Sequence, residues 1–482
     1  MRTLITAGHI VAYQSGRHVH LREGAVVVED DKILAVCPAG GPGAYDGPVD
    51  ARIEAPGGVV TPGLINTHAH IAGSPLDKSF VEDKGPRQFY LSGLFEFLPA
   101  RWVAMGAEAP LACVEFAVPE LLTTGTTTVM EIGAYGEAVI EASVRHGLRA
   151  YVGQGYRSGR WFTDNGREVK YEWREDDGAA DFAEALAFCE AHEGTHGDLI
   201  RTFLTPMQID TVSEALLRKT RAVATERRLP LALHAAQSVS EFQEMTRRHG
   251  RTPIEWLSDI GFLGPDVILG HAIIPGESSW ANFHADDIGI LADTGTNVAH
   301  AVWVFARRGI AMESFARYRA RGVNMTLATD TCPQSMIEAL RWTAVVSKIV
   351  DRQTEVATAA DVFDAATLGG AKALGRDDLG RIAPGAKADL LVWRGDTLTM
   401  APMRDPLRNI VYSAQASDLA AVLVDGKVVA RDGVVPGADP SALAARLQAE
   451  AETMWAGMQK GDWAGRDIDA LAPQSLPAYR PE

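Results

Sequence analysis

Two histidines one residue apart, His68 and His70, stand at the end of the run Thr61-Pro62-Gly63-Leu64-Ile65-Asn66-Thr67-His68-Ala69-His70. The apolar stretch Gly58-Val59-Val60 just before it reads as the start of a strand. Residues i and i+2 of a strand point to one side, so both imidazoles face the same way. Such a pair suits a divalent metal such as zinc. His18 and His20 have the same spacing, but they lie in a polar, hairpin-like stretch and carry no such expectation. Three further apolar runs end in a metal-competent residue: Leu229 to His234, Val267 to His271, and Val323 to Asp330.

Short apolar runs of this kind are typical of strands buried on both faces of a parallel sheet. Longer amphipathic stretches separate them, for example Ser213 to Arg228 and Ser240 to Leu257. Alternating strand and helix predicts a β/α barrel, whose functional residues gather at the carboxyl ends of its strands. His68, His70, His234, His271 and Asp330 all take that position. Residues 1–60 read instead as short strands divided by turns, and so do residues 386–435 around the turn Asp425-Gly426. Barrel strands and helices are expected over 61–385. Residues 436–482 read as a helix, Ser441 to Lys460, followed by a Pro-rich polar tail. The segment Arg157 to Asp177, rich in Gly, charge and aromatics, reads as a long loop at the barrel mouth.

Composition narrows the function. The chain has 482 residues and 46% hydrophobic content, enough for one large barrel with an accessory domain. A net charge of −16 argues against nucleic acid and offers no handle for a membrane. The four cysteines, Cys37, Cys113, Cys189 and Cys332, are widely spaced and form no disulfide or metal pattern. They fit a reducing cytoplasm. No leader-like h-region opens the sequence and no run approaches a membrane span.

The sequence resembles the amidohydrolase superfamily, in the branch of cytosine deaminase-like and triazine hydrolase-like enzymes. The motifs that carry the resemblance are Pro62 to His70, the strand ends at His234, His271 and Asp330, and two late segments, Ala365 to Leu390 and Val422 to Val429. The resemblance implies a (β/α)8, TIM-like barrel beside a small β-sandwich built from both chain ends. It implies that His68, His70, His234 and Asp330 hold one divalent ion, zinc first, with Fe2+, Co2+ or Mn2+ as alternatives. On the same resemblance the metal would lower the pKa of a water, Asp330 would take its proton, and His271 would assist without ligating. Binuclear relatives carry a Lys or Glu at strand four, whereas Ile200 to Met207 offers neither, so a single metal is expected.

Two departures from the family pattern bear on the reaction. Deaminases of the branch place a proton-shuttling Glu three residues after the strand-five His, and Gln237 stands there instead. An amide cannot shuttle protons, though it can bind substrate. After strand seven, His300-Ala301-Val302-Trp303 replaces the polar residues of aminopyrimidine sites and suggests a more apolar pocket, with His300 and Trp303 on its wall. Tyr90, Trp161 and Glu131 are further candidates for substrate contact, Glu131 being the best substitute acid, while Cys332 reads as a bystander. The expectation is a hydrolase of a small neutral molecule with an activated C–N, C–S or C–halogen bond, such as a urea, carbamate, thiocarbamate or triazine. An aminoheterocycle deaminase is the alternative. A non-catalytic barrel scaffold is disfavoured because all four ligands are kept. A homo-oligomer is expected.

Overall fold

The computed structural model describes residues 1–480. Four strands open the chain: β1 (Arg2–Gln14), β2 (Arg17–Glu29), β3 (Lys32–Pro38) and β4 (Ala51–Pro62). Ten follow: β5 (Leu64–Ala69), β6 (Thr126–Gly133), β7 (Arg149–Gln154), β8 (Gly159–Phe162), β9 (Lys170–Trp173), β10 (Ile200–Thr202), β11 (Leu231–Ala235), β12 (Val267–His271), β13 (Asn297–His300) and β14 (Asn324–Leu327). The last three are β15 (Leu390–Trp393), β16 (Leu419–Val424) and β17 (Lys427–Arg431).

The two chain ends combine in one seven-stranded sheet, ordered β17-β16-β15-β4-β1-β2-β3. Two parallel sheets of four strands, β10-β7-β6-β5 and β11-β12-β13-β14, make up the middle of the chain. Every residue of β5, β11, β12 and β13 is buried, as expected of strands covered on both faces. Parallel bridges Leu204–Leu231 and Ala69–Asp330 run between the two sheets, one at each pair of edges. A single buried cluster takes Ile65, Met130, Tyr151, Phe203, Ala232, Ile268, Ala299 and Ala328, one residue from, or directly after, each of the eight strands. The two sheets therefore share one interior. The alternate residues Val129, Val152, Leu233 and Leu269 face the other way, into the layer of helices with Val118, Leu121 and Leu217.

Three details differ from the sequence expectation. The strand leading to His68 is two strands in two sheets: β4 ends at Pro62 and β5 starts at Leu64. The switch falls at Gly63, where a Cβ would lie 2.0 Å from Thr127 Oγ1, so only glycine passes. The stretch Ser240 to Leu257 is broken into helices Val239–His249 and Pro253–Asp259, because Gly250 caps the first in a left-handed conformation and Thr252 opens a capping box on the second. The segment Arg157 to Asp177 is not simply a loop but carries the hairpin β8–β9, in which Trp161 pairs with Tyr171. The late helix forms at Pro440–Gly457 and packs its Leu447, Ala451 and Met454 against Phe97, Ala100 and Cys113. Among the described residues, no helix is long and apolar enough to cross a membrane.

Candidate metal centre

His68 sits in β5 and His70 just beyond it, His234 in β11, and Asp330 just past β14. Their ligand atoms all lie within 4.8 Å of one another, the one such group of three or more among the described residues. His70 Nε2 is 3.2 Å from His68 Nε2 and 3.1 Å from His234 Nε2. Asp330 Oδ1 is 3.3 Å from His70 Nε2 and 3.5 Å from His68 Nε2.

The backbone fixes how these rings are protonated. A carbonyl only accepts, so His70 Nδ1–H donates to Ile132 O at 2.6 Å, and His234 Nδ1–H donates to Met207 O at 2.6 Å. Both Nε2 atoms then carry lone pairs, and those lone pairs face each other. Burial keeps His234 well below the ordinary histidine value and pulls His68 down to about 3. Burial alone would raise Asp330, but His271, His68 and His70 outweigh it and hold the carboxylate ionised. Three imidazoles and one carboxylate gathered this closely, with the Nδ1–H of His70 and His234 already given to backbone carbonyls, fit one divalent cation. His68 has room to enter because Gly270 lies against it; a Cβ there would be 2.5 Å from His68 Cε1.

His271, at the end of β12, donates its Nδ1–H to Ala299 O at 3.2 Å and turns Nε2 toward Asp330 Oδ2, 3.6 Å away. Its ring centroid is 4.6 Å from that of His68. Burial lowers its pKa. This residue is thus brought beside the four ligands, facing the carboxylate rather than the imidazole nitrogens.

Gln237 is buried one turn past His234, and its Nε2 donates to Gln208 Oε1. The backbone N–H groups of Ala236 and Gln237 both donate to the carboxyl of Glu241, at 2.5 and 3.3 Å. Burial pushes Glu241 well above the ordinary glutamate range, with Asp210 nearby adding to the rise. Neither Gln208 nor Glu241 stands out in the sequence, and adjacency is the only signal: Gln208 directly follows the strand-four run, and Glu241 lies one helical turn past Gln237.

The remaining candidates spread more widely. Glu131 is completely buried on the side of β6 opposite Met130 and Ile132, which belong to the shared interior. The backbone N–H groups of Ala72 and Ile71 approach its carboxyl, but neither oxygen completes a hydrogen bond, and burial pushes its pKa up to about 8. Trp161 is buried against Phe89 and Phe95 and donates its indole N–H to Leu94 O. Tyr90 is exposed, its hydroxyl accepting from Gln243 Nε2 at 2.9 Å. His300 is buried at the end of β13 with Nδ1 unpartnered, and burial pulls it down to about 3. Trp303 packs on Trp342 at 5.3 Å, its indole N–H also unpartnered. Cys332 is a buried free thiol.

Comparison with known proteins fits this geometry. The sequence profile of the Amidohydrolase family matches residues 59–429. The 5'-deoxyadenosine deaminase of Methanothermobacter thermautotrophicus is 30% identical over 426 residues, 86% of this chain and 90% of the relative. The crystal structure of an adenosine deaminase from Xanthomonas campestris with bound zinc superposes with a TM-score of 0.79 at 24% identity, covering 94% of this chain and 98% of that one. The zinc complex of atrazine chlorohydrolase from Arthrobacter aurescens TC1 gives 0.79 at 22%, covering 93% and 100%.

Proposed function

Because the chain belongs to the amidohydrolase family, we propose that it hydrolyses the exocyclic C–N bond of an aminoheterocycle, releasing ammonia and leaving a ring carbonyl. The convergence of His68, His70, His234 and Asp330 carries the hydrolytic part of this reading. The deaminase relative supports the substrate class. A divalent ion held by these four residues, zinc as in the Xanthomonas campestris structure, supplies the Lewis acidity that lowers the pKa of water.

The chain's own residues divide the remaining work. Ile132 O and Met207 O hold the His70 and His234 rings in one tautomer and one orientation. Ionised Asp330 is the proton acceptor for the attacking water. His271 Nε2 faces that carboxylate and can take a proton from it and pass it to the leaving nitrogen. Glu131 is not needed for this path.

Gln237 favours a second reading. An amide bonded to Gln208 gives the leaving group no proton, so departure of chloride, thiolate or an activated amine fits equally well. A panel of aminopurines, aminotriazines, chlorotriazines and ureas, assayed on metal-loaded protein for ammonia and for the other leaving group, decides between them. Efficient release of chloride or of an alkylamine without ammonia overturns the deaminase reading.

The same reading treats the two four-stranded sheets as halves of one (β/α)8 barrel over 61–385, resting on their shared interior and the bridges at both edges. The two chain ends, 1–60 and 386–435, meet in the one seven-stranded sheet, which stands where the small sandwich is expected, and the late helix Pro440–Gly457 packs instead on Phe97, Ala100 and Cys113.

A further inference from the structure

Arg308 lies just after the helix Val302–Ala306 that follows β13, at the same end of the strands as the metal ligands. Its guanidinium packs against the backbone of Gly93, where a Cβ would be 3.2 Å from Nη1. Gly93 belongs to the loop that leaves β5 after His70. On the same helix as the approach to Arg308, Phe305 packs its ring 5.0 Å from that of His271. Two mouth loops therefore enclose one cation beside the centre.

Among the described residues this cation has no partner. Arg308 Nε is buried and donates to nothing, and no carboxylate forms an ion pair with the guanidinium. Burial pulls its pKa below the ordinary arginine value, and Asp77, Asp330 and Glu82 act on it only through space. The other enclosed arginines are all engaged. Arg149 is held by Asp389 and Asp425, Arg101 by Asp77, and Arg307 by Glu82 and Thr331. Arg157 lies over the Trp102 ring at 5.3 Å. A charge taken out of water without a partner is costly, and a guanidinium is shaped to grip a carboxylate by two parallel hydrogen bonds. The residue is half-buried as a whole, although its Nε is enclosed.

We propose that Arg308 is a binding residue for an anionic group of the substrate, a carboxylate gripped at a distance from the reacting carbon. This replaces the expectation of a neutral substrate, which rests on the apolar residues Ala301 to Phe305 in the same loop. The inference rests on the hydrolase reading of this mouth, but its test is an equilibrium one and does not depend on turnover.

Benzoate and benzamide, alike in shape and different in charge, are titrated calorimetrically into zinc-loaded protein. Wild type should bind benzoate about ten- to a hundredfold more tightly, the range for a charge-assisted hydrogen bond. Arg308→Gln should lose that preference while keeping its zinc content and its melting temperature. Arg308→Lys keeps the charge and guards against a folding failure in the first variant; it should retain part of the preference. Equal binding of the two ligands by wild type overturns the proposal. So does a benzoate preference that survives in Arg308→Gln, which would mark the metal as the anion's partner. A deaminase assay that fails while the Arg308-dependent preference holds removes the C–N reading alone.

Discussion

The Nε2 atoms of His70 and His234 stand 3.1 Å apart, while the Nδ1–H of each ring is given to a backbone carbonyl. Two lone pairs held face to face in a buried site need a cation between them. The expected load is close to one divalent ion per chain, because Asp330 and His68 complete the set and no lysine or acid appears in Ile200 to Met207. Elemental analysis after reconstitution and gel filtration measures it. Two tightly held ions would contradict a single centre, and His234→Ala or Asp330→Ala should lose the metal, the activity or both.

His271 should separate binding from turnover. Its Nε2 faces Asp330 at 3.6 Å rather than joining the ligand group. His271→Asn should therefore bind metal nearly as the parent does, with kcat lower by about a hundredfold or more, the scale of general acid–base help. Near-normal turnover with normal metal content would reduce His271 to packing.

Gly270 gives a steric test of the same centre. Gly270→Ala would place a methyl group 2.5 Å from His68 Cε1, deep in a packed interior. Either the ring or β12 must move. The expected result is weaker metal retention against a chelator and a stability loss of about 1–3 kcal/mol, typical of overpacking. Unchanged retention would show that His68 has slack that the packing does not suggest.

Glu131 sets a pH dependence of stability. Its pKa is raised by burial to about 8 from the ordinary glutamate value of 4.5, so the folded state holds a proton that the unfolded chain has released. Stability from this group is full below the unfolded value and is lost as pH rises through that window, by up to about 1.4 kcal/mol per pH unit. Denaturant unfolding of the parent should weaken from pH 5 toward pH 8 relative to Glu131→Gln, which keeps the shape without the charge. Parallel pH profiles for the two proteins would show that Glu131 is not protonated in the fold.

The metal ligands are legible in the sequence because each closes a short apolar run, and a buried parallel strand can place its end residue in only one region. The same runs reveal the strand–helix alternation. Glu131 is less legible, since its side of β6 follows only when Met130 and Ile132 are known to share an interior with Ala232 and Ile268. The division of one apolar stretch into β4 and β5 depends on the Thr127 side chain, distant in sequence, crowding Gly63. The β8–β9 hairpin hides in a polar, glycine-containing segment because its strands are only four residues each. Arg308 is beyond pattern reading altogether: its enclosure comes from Gly93, on another loop, and no local spacing encodes it.

Gln237 discriminates between the two chemistries. Its amide donates to Gln208, and its backbone N–H is held by Glu241, so the turn after His234 stays in place without an acid in the side chain. If the leaving group departs without strong protonation, Gln237→Ala should change kcat little and raise KM by up to about tenfold, the worth of one neutral hydrogen bond at about 0.5–1.5 kcal/mol. Gln237→Glu should then help poor leaving groups more than good ones, because it restores an ionisable group beside the centre. It should also weaken the contact with Gln208, whose carbonyl oxygen would face a carboxylate unless the new residue is protonated. The measurement is kcat and KM for both variants on one series of heterocycles with graded leaving-group pKa. If Gln237→Ala instead lowers kcat about a hundredfold on every member of the series, the amide contributes in the transition state. Efficient ammonia release by the wild type would then place the proton donor at His271, the titratable residue whose Nε2 faces Asp330.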